Sequence, residues 1–174
     1  MLVPMIGKAQ SLQEPISVRA QKDGETIVVD AAFSVPVTPR EAWDVLTDFD
    51  RMEEFVSNLQ YSKILSRIGN RLQVAQKGRA AHGLISFVFE SIRDVDLVPY
   101  QSIRTRLVSG NMKKLEGLTV LTPEPGGTRV SYHGESIPGV WVPPVFGLRF
   151  IEKEVAEQFD EIRDEILKRK GIAR

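Results

Sequence analysis

The sequence predicts one α+β domain, in which a curved antiparallel sheet wraps around a long C-terminal α-helix and two short helices lie between the first strands. Three observations predict this class. Strand-like runs joined by short turns fill most of residues 15–136. Residues 61–136 contain no helical segment long enough to connect parallel strands. Residues 144–170 carry apolar side chains every three or four positions, as one face of a long helix does.

The chain length is typical of a single domain. The 174 residues are 42% hydrophobic and 26% charged, which is ordinary for a globular protein. Residues 1–14 have no clear periodicity and are interpreted as a loose lead-in. Residues 15–174 are interpreted as the domain.

The first elements are predicted to be a β-hairpin and a capped helix. ISVRAQ and ETIVVDAAFSV flank Lys22-Asp23-Gly24, a typical hairpin turn. Thr38-Pro39-Arg40-Glu41 supplies a capping box with proline in the first helical position. Asp50 is expected to cap a second short helix that runs through Val56. Capping therefore explains the acidic residues of this region without a metal ion.

Residues 61–136 predict a series of antiparallel strands. Gly69-Asn70 joins YSKILSRI to RLQVAQKGRA as a hairpin. LISFVFESI and QSIRTRLV follow, and Gly110-Asn111 leads into MKKLEGLTVL. Pro125-Gly126-Gly127 leads into TRVSYHGE. Because every connection is short, we expect a meander of about five strands.

The last predicted element is an amphipathic helix of residues 144–170. Glu152, Glu154 and Glu157 lie early and the run 168–170 is basic, an order that suits the helix dipole, and Gly171 is a typical stop. This helix is the one element large enough to cover the inner face of the sheet. Its apolar stripe consists of Leu148, Ile151, Val155, Phe159, Ile162 and Ile166.

An uncharged segment, SIPGVWVPPVFG, precedes this helix at residues 136–147. Pro138, Pro143 and Pro144 are expected to keep it out of the sheet, and its glycines allow sharp bends. A curved sheet and a straight helix leave a space between them that is either packed or forms a ligand cavity. We interpret the segment as a lid or rim at the mouth of that cavity.

Composition limits the partners of the protein. The formal net charge is zero, which argues against nucleic acid. The chain has no cysteine and two histidines, so no metal site is expected, and no cofactor is expected either. No apolar run approaches the roughly 20 residues of a membrane span, and MLVPMIGKAQ lacks the basic start of a signal peptide. We expect a cytoplasmic protein, and the sequence is compatible with transient contact with a membrane.

Three stretches carry a family resemblance: VDAAFSVPVTPREAWDVLTDFDRMEEFVSNLQYSKIL, NMKKLEGLTVL with GGTRVSYHGES, and VWVPPVFGLRFIEKEV. In this order they resemble the first strand and tryptophan-containing helix, the last two strands, and the proline-containing start of the terminal helix in START-like, helix-grip (SRPBCC) proteins. Within that superfamily they resemble the polyketide cyclase/coenzyme-Q-binding, or cyclase/dehydrase, branch. Many relatives have tryptophan where this chain has Leu118, which we interpret as an inward position with reduced bulk.

The resemblance implies a container for lipids, quinones or polyketides with no shared catalytic set, so no catalytic residue is predicted. The strand runs, the helix stripe and the proline-rich segment indicate which side chains a ligand would contact. The candidates for the cavity and its rim are Phe87, Phe89, Leu118, Tyr132, Trp141, Phe146, Ile151, Val155 and Phe159.

Arg79, Arg104 and His133 are candidate polar anchors for a ligand head group. Each has an alternative as a solvent-facing strand residue. If Tyr132 points inward, strand alternation turns His133 outward. An inward arginine would need a carboxylate or a ligand as its partner.

The sequence therefore favours a protein that binds or transports a hydrophobic or amphipathic small molecule, such as a lipid, a quinone or a polyketide-like compound. An aromatase/cyclase-type enzyme is one alternative and would need a polar cavity group placed to move protons. A ribosome- or protein-binding module of the toxin-like branch is the other. That module would need an exposed patch and a filled interior.

Overall fold

The structure, a computed structural model, describes residues 14–172. The expected lead-in, residues 1–14, lies outside the described residues except for Glu14. The strands are β1 (Ser17–Asp23), β2 (Thr26–Val35), β3 (Leu59–Ile68), β4 (Arg71–His82), β5 (Ile85–Val98), β6 (Ser102–Gly110), β7 (Met112–Glu124) and β8 (Gly127–Pro138). The helices are α1 (Pro39–Leu46), a 3-10 helix (Phe49–Glu54) and α2 (Leu148–Lys170).

The eight strands form one antiparallel sheet in the order β1-β2-β8-β7-β6-β5-β4-β3. The last strand therefore pairs with β2, and α2 lies over the inner face of the sheet. The predicted α+β class, with two short helices between the first strands, is confirmed. The predicted meander of residues 61–136 is also present, although it has six strands, β3 to β8.

Alternation along the strands separates an inner from an outer face. In β2, Val29, Ala31, Phe33 and Val35 are buried at every second position. Phe33 contacts Phe159 of α2, with ring centroids 5.8 Å apart. Directly opposed residues of paired strands share a face. The strand partners of these β2 residues therefore also face inward, and so on across the sheet.

Helix α1 begins with the predicted capping box. The Glu41 amide donates to Thr38 Oγ1 at 3.3 Å, and the Thr38 amide donates to Glu41 Oε2 at 2.9 Å. These two bonds satisfy amides that the first turn of a helix otherwise leaves free. The cap brings the buried Trp43 and Val45 against the sheet.

The prediction that Asp50 caps the second helix is wrong. This helix begins at Phe49, and Asp50 lies inside it. The Asp50 carboxylate accepts a hydrogen bond from the Ile64 amide at 2.8 Å, and Glu53 accepts one from the Ser62 amide at 2.6 Å. Both amides belong to β3, an edge strand of the sheet, so the two carboxylates satisfy donors that have no partner strand.

The segment before α2 begins later than predicted. Strand β8 continues through Pro138, which pairs with Met112 of β7. The prediction that Pro138 stays outside the sheet is therefore wrong. Pairing of β8 with β2 ends at Ser136, so a proline at 138 affects one ladder only. The irregular segment is thus residues 139–147, which we call the bend.

Helix α2 begins at Leu148 rather than at residue 144. The Phe146 amide donates to the Pro143 carbonyl at 3.0 Å, which forms a separate turn before the helix. The helix ends as predicted, because Gly171 adopts a left-handed conformation with φ of 73°. No helix in residues 14–172 is long and apolar enough to cross a membrane.

The packed core lies under the C-terminal half of α2. Phe159, Ile162 and Ile166 are buried there against the sheet and the short helices. The N-terminal half of α2 has no fully buried residue, and Leu148 is 36% exposed. The sheet and the helix therefore separate at this end of the molecule.

Candidate functional site

A cavity fills the space between the inner face of the sheet and the N-terminal half of α2. Its larger part, the outer lobe, has a volume of about 820 Å³ and is bordered by the bend. A smaller part of about 370 Å³, the inner lobe, extends toward the 3-10 helix and the core. Phe89, Tyr132, Ile151 and Val155 line both lobes, so the two are adjoining regions of one site.

The bend forms part of the wall at the open end. Phe146 is 8% exposed, whereas Trp141 is 77% exposed. The Phe150 ring packs edge-on against Phe146 at 4.7 Å and against His82 at 5.9 Å between centroids. These contacts connect the bend, α2 and the end of β4 around the mouth.

Most of the predicted apolar contact residues line this cavity. Of the predicted residues, Phe159 lines the inner lobe alone, and four line both lobes: Phe89, Tyr132, Ile151 and Val155. Of the predicted residues, those that line the outer lobe alone are Phe87, Trp141 and Phe146. Their contact with a ligand stays a prediction.

Glycines make room for the two large rings of the cavity wall. A Cβ atom on Gly78 would lie within 3.0 Å of the Phe89 ring, and one on Gly134 would lie within 3.0 Å of the Tyr132 ring. Real Cβ atoms do not approach other atoms so closely. Each ring therefore lies over the backbone of a glycine, which keeps the centre of the cavity open.

Arg93 of β5 brings a positive charge into the inner lobe. Its guanidinium donates to Gln76 Oε1, and its Nε is buried with no hydrogen-bond partner among the residues that the structure describes. Burial lowers the pKa of Arg93, because desolvation disfavours the charged form. Arginine nevertheless stays protonated in proteins, so the lobe contains an incompletely paired cation.

Two hydroxyl groups lie beside Gly117 on the same face. A Cβ atom on Gly117 would lie 2.8 Å from Thr105 Oγ1 and 3.4 Å from Tyr132 Oη. The missing side chain leaves a notch in the sheet surface that both hydroxyls border. Burial raises the pKa of Tyr132, although the nearby Arg93 charge opposes the shift. The phenol is therefore neutral at physiological pH and can donate a hydrogen bond.

Three of the sequence candidates lie outside the cavity. Arg104, Leu118 and His133 are directly opposed on β6, β7 and β8, in a row that includes Asp30. His133 Nδ1 lies 2.7 Å from Asp30 Oδ1, and the His133 ring is half exposed. The inward position expected for Leu118 is wrong, because strand alternation places Leu118 within this outer row, between Arg104 and His133.

Arg79 also points away from the cavity. It is exposed and lies between Gly78 and Ala80, and Ala80 lines both lobes. Residues next to each other on a strand take opposite faces. The structure therefore places none of Arg79, Arg104 and His133 as a cavity anchor, and their alternative as solvent-facing residues is correct.

The sequence analysis did not identify Arg93, the arginine that lines the inner lobe. A signal for it exists in the alternation of β5. Phe87, Phe89, Arg93 and Val95 are separated by even numbers of residues, so they share one face. The correct inward placement of Phe87 and Phe89 already implied an inward Arg93.

Comparisons with solved structures place the fold among known ones. The chain is similar to TTHA0849 from Thermus thermophilus, with a TM-score of 0.69 and 17% identity over 81% of this chain and 97% of that one. It is similar to the Zhui aromatase/cyclase from a Streptomyces species, with a TM-score of 0.68 and 12% identity over 83% and 95%. Human StAR-related lipid transfer protein 5 gives a TM-score of 0.69 and 12% identity over 89% and 83%.

At such identities these structures establish the fold alone. No curated protein sequence matches the chain significantly. The family model described as "Polyketide cyclase / dehydrase and lipid transport" matches residues 35–162, which is most of the chain. The fold is the START-like one that the sequence resemblance implied. The chain belongs to the polyketide cyclase/dehydrase and lipid transport family.

Proposed function

We propose that the protein binds and carries a hydrophobic or amphipathic small molecule in the cavity between the sheet and α2. One observation carries this proposal: the cavity of about 820 Å³ with an adjoining lobe of about 370 Å³. Volumes of roughly 300–1,000 Å³ are typical of small-molecule sites. Apolar and aromatic side chains supply most of the wall, so burial of apolar ligand surface would drive binding at ~25 cal/mol per Å² before association costs.

The bend supports this proposal, because it puts an exposed tryptophan at the mouth. Trp141 lines the outer lobe and is mostly solvent-exposed, whereas Trp43 belongs to α1 and is buried in the core. A ligand that enters the outer lobe would change the surroundings of Trp141 and leave those of Trp43 unchanged. The two tryptophans thus provide a reporter and an internal reference.

An aromatase/cyclase-type activity is the second candidate. Arg93 and the neutral Tyr132 phenol favour it, because both are polar groups inside the cavity that could polarise or protonate a carbonyl oxygen. The open interior argues against a module that only binds a ribosome or a protein, since that role gives no reason for an internal cavity.

The proposal is tested with the neutral fluorescent probe N-phenyl-1-naphthylamine. We expect saturable binding near one probe per chain, with a change in tryptophan emission. The Trp141→Phe variant should bind the probe and lose that change, because Trp43 alone remains. Native mass spectrometry of protein purified from its own host should also detect a co-purified apolar compound. Absence of both saturable binding and a co-purified compound would overturn the proposal.

A further inference from the structure

Within the described part of the chain, the guanidinium of Arg93 has no counter-ion. Within residues 14–172, no carboxylate oxygen lies within 4.0 Å of its nitrogens. The partner that the structure gives it is the uncharged side-chain amide of Gln76. A buried charge without a counter-ion is costly, and an apolar residue at this position would avoid that cost. A group that arrives with the ligand can supply the missing negative charge.

The groups around Arg93 are suited to an acceptor. The Tyr132 phenol is neutral and can donate, Thr105 Oγ1 can donate, and both border the notch at Gly117. A guanidinium has donors and no acceptor. A carboxylate has acceptor oxygens alone and matches an arginine in planar, two-point geometry. A doubly charged phosphate would exceed the single positive charge of this lobe.

One carboxylate of the protein, Glu154, also lines the inner lobe. It belongs to α2, and α2 forms the wall opposite the sheet that carries Arg93. Glu154 would repel an anion near the helix and favour the sheet side of the lobe. The acceptor position is therefore restricted to the region between Arg93, Thr105 and Tyr132.

We infer that the inner lobe is a binding site for an acidic head group and that the ligand is an amphipathic carboxylic acid. This inference rests on the proposed function and specifies its ligand class. The carboxylate binds Arg93 with the hydroxyls of Thr105 and Tyr132. The apolar part passes Phe89 into the outer lobe and ends near the bend. The position of the Arg93 charge in the inner lobe thus sets the direction of the ligand.

Three compounds with similar ten-carbon chains test the inference at pH 7.5: decanoate, methyl decanoate and decyltrimethylammonium. The two ions are used below their micelle concentrations, and the ester is used below its solubility limit. Their affinities are measured by displacement of N-phenyl-1-naphthylamine. Decanoate should bind about tenfold more tightly than the ester, or better, because a hydrogen bond to a charged group replaces a neutral one. The cationic compound should bind most weakly.

Two variants locate the preference. Arg93→Met should reduce the ratio of the affinities for decanoate and methyl decanoate to about one. Ester binding should stay intact, since the replacement removes the charge interaction with the carboxylate. Arg104→Met removes an arginine from the outer face of the neighbouring strand and should leave the ratio unchanged. As a further check, Gly117→Ala fills the notch and should weaken decanoate more than the ester.

The outcomes separate the inference from the function on which it rests. Equal binding of acid and ester by the unmodified protein overturns the inference and leaves the carrier function standing. The inference is also overturned if Arg93→Met keeps the whole preference for decanoate over the ester, or if none of the three compounds displaces the probe. The carrier function still stands in both cases. If the probe itself fails to bind and no apolar compound co-purifies, the carrier function falls and the head-group site falls with it.

Discussion

The phenol ring of Tyr132 lies over the backbone of Gly134, two residues later on the same strand. A Cβ atom on Gly134 would come within 3.0 Å of the ring and its hydroxyl oxygen. The ring also contacts Phe159 of α2, with centroids 5.5 Å apart. Gly134 therefore determines where Tyr132 lies, and Tyr132 forms part of both lobes of the cavity.

Gly134→Ala should displace the Tyr132 ring and lower the free energy of unfolding. Forcing an additional carbon into an occupied space costs about 1–3 kcal/mol. The shifted ring should also weaken binding of N-phenyl-1-naphthylamine, because it would enter one of the lobes. Urea unfolding and a probe titration measure the two effects.

A double-mutant cycle checks the cause. In a Tyr132→Ala background the ring is absent, so Gly134→Ala should change the free energy of unfolding little. An undiminished cost of Gly134→Ala in that background would mean that the backbone, and not the ring, requires glycine at position 134.

Arg93 and Arg163 should respond in opposite ways to the same replacement. Arg163 of α2 is 6% exposed, pairs with Asp160, and donates to the Glu14 carbonyl at 2.7 Å. Arg163→Met should therefore lower the free energy of unfolding by about 2 kcal/mol or more. Arg93→Met removes a poorly paired charge, and stability should stay within about 1 kcal/mol or rise.

Gln76 limits the side effects of the Arg93 replacement, because its amide nitrogen still donates to Ser62 Oγ at 3.0 Å. Urea unfolding without added ligand measures both variants. A loss of several kcal/mol on Arg93→Met, comparable to that of Arg163→Met, would show that Arg93 has structural partners and would weaken the case for a head-group site.

Turns and helix caps could be predicted from the sequence because they depend on neighbouring residues. Contacts between distant segments could not. The turn at Gly69-Asn70 and the capping box at Thr38 depend on neighbouring residues, and both occur as predicted. Asp50 has the composition of a cap, yet its carboxylate bonds to a strand that begins nine residues later. Its role depends on which strand lies at the sheet edge, and that is a property of the whole topology.

The candidate site shows the same division. Alternation within β5 placed Phe89 correctly and could also have placed Arg93, because the two residues share one strand face. The outward position of Leu118 required the phase of β7, where Leu115, Gly117 and Thr119 face inward and two of the three are not large apolar residues. In such a strand, hydrophobicity alone assigns the residues to the wrong faces of the sheet.

His133 should make stability depend on pH near neutrality. Its hydrogen bond to Asp30 is the main cause of a raised pKa, with a smaller contribution from Glu135. A raised pKa in the folded state means that the protonated ring stabilises the fold below its ordinary pKa of about 6.5. That contribution is lost as the pH rises through the higher folded-state pKa.

The comparison is between the unmodified protein and His133→Gln at pH 5.5 and pH 8.5. The variant should be less stable at the lower pH, by a small amount because the pair is exposed, and equal at the higher pH. An NMR titration of the ring reports the pKa directly. A folded-state pKa at or below the ordinary value would refute the pairing with Asp30.

The emptiness of the cavity is tested by filling it. Ala80 lines both lobes, and its strand partner is Phe87. Ala80→Phe should place a ring in unoccupied volume, so the free energy of unfolding should not fall, while probe binding should weaken about tenfold or more.

Ala42→Phe is the matched control, because Ala42 is 0% exposed within the packed core. There the same added ring has no space and should cost about 1–3 kcal/mol or more. If the two variants lost equal stability, side chains would already occupy the space between sheet and helix, and the protein could not enclose a ligand there.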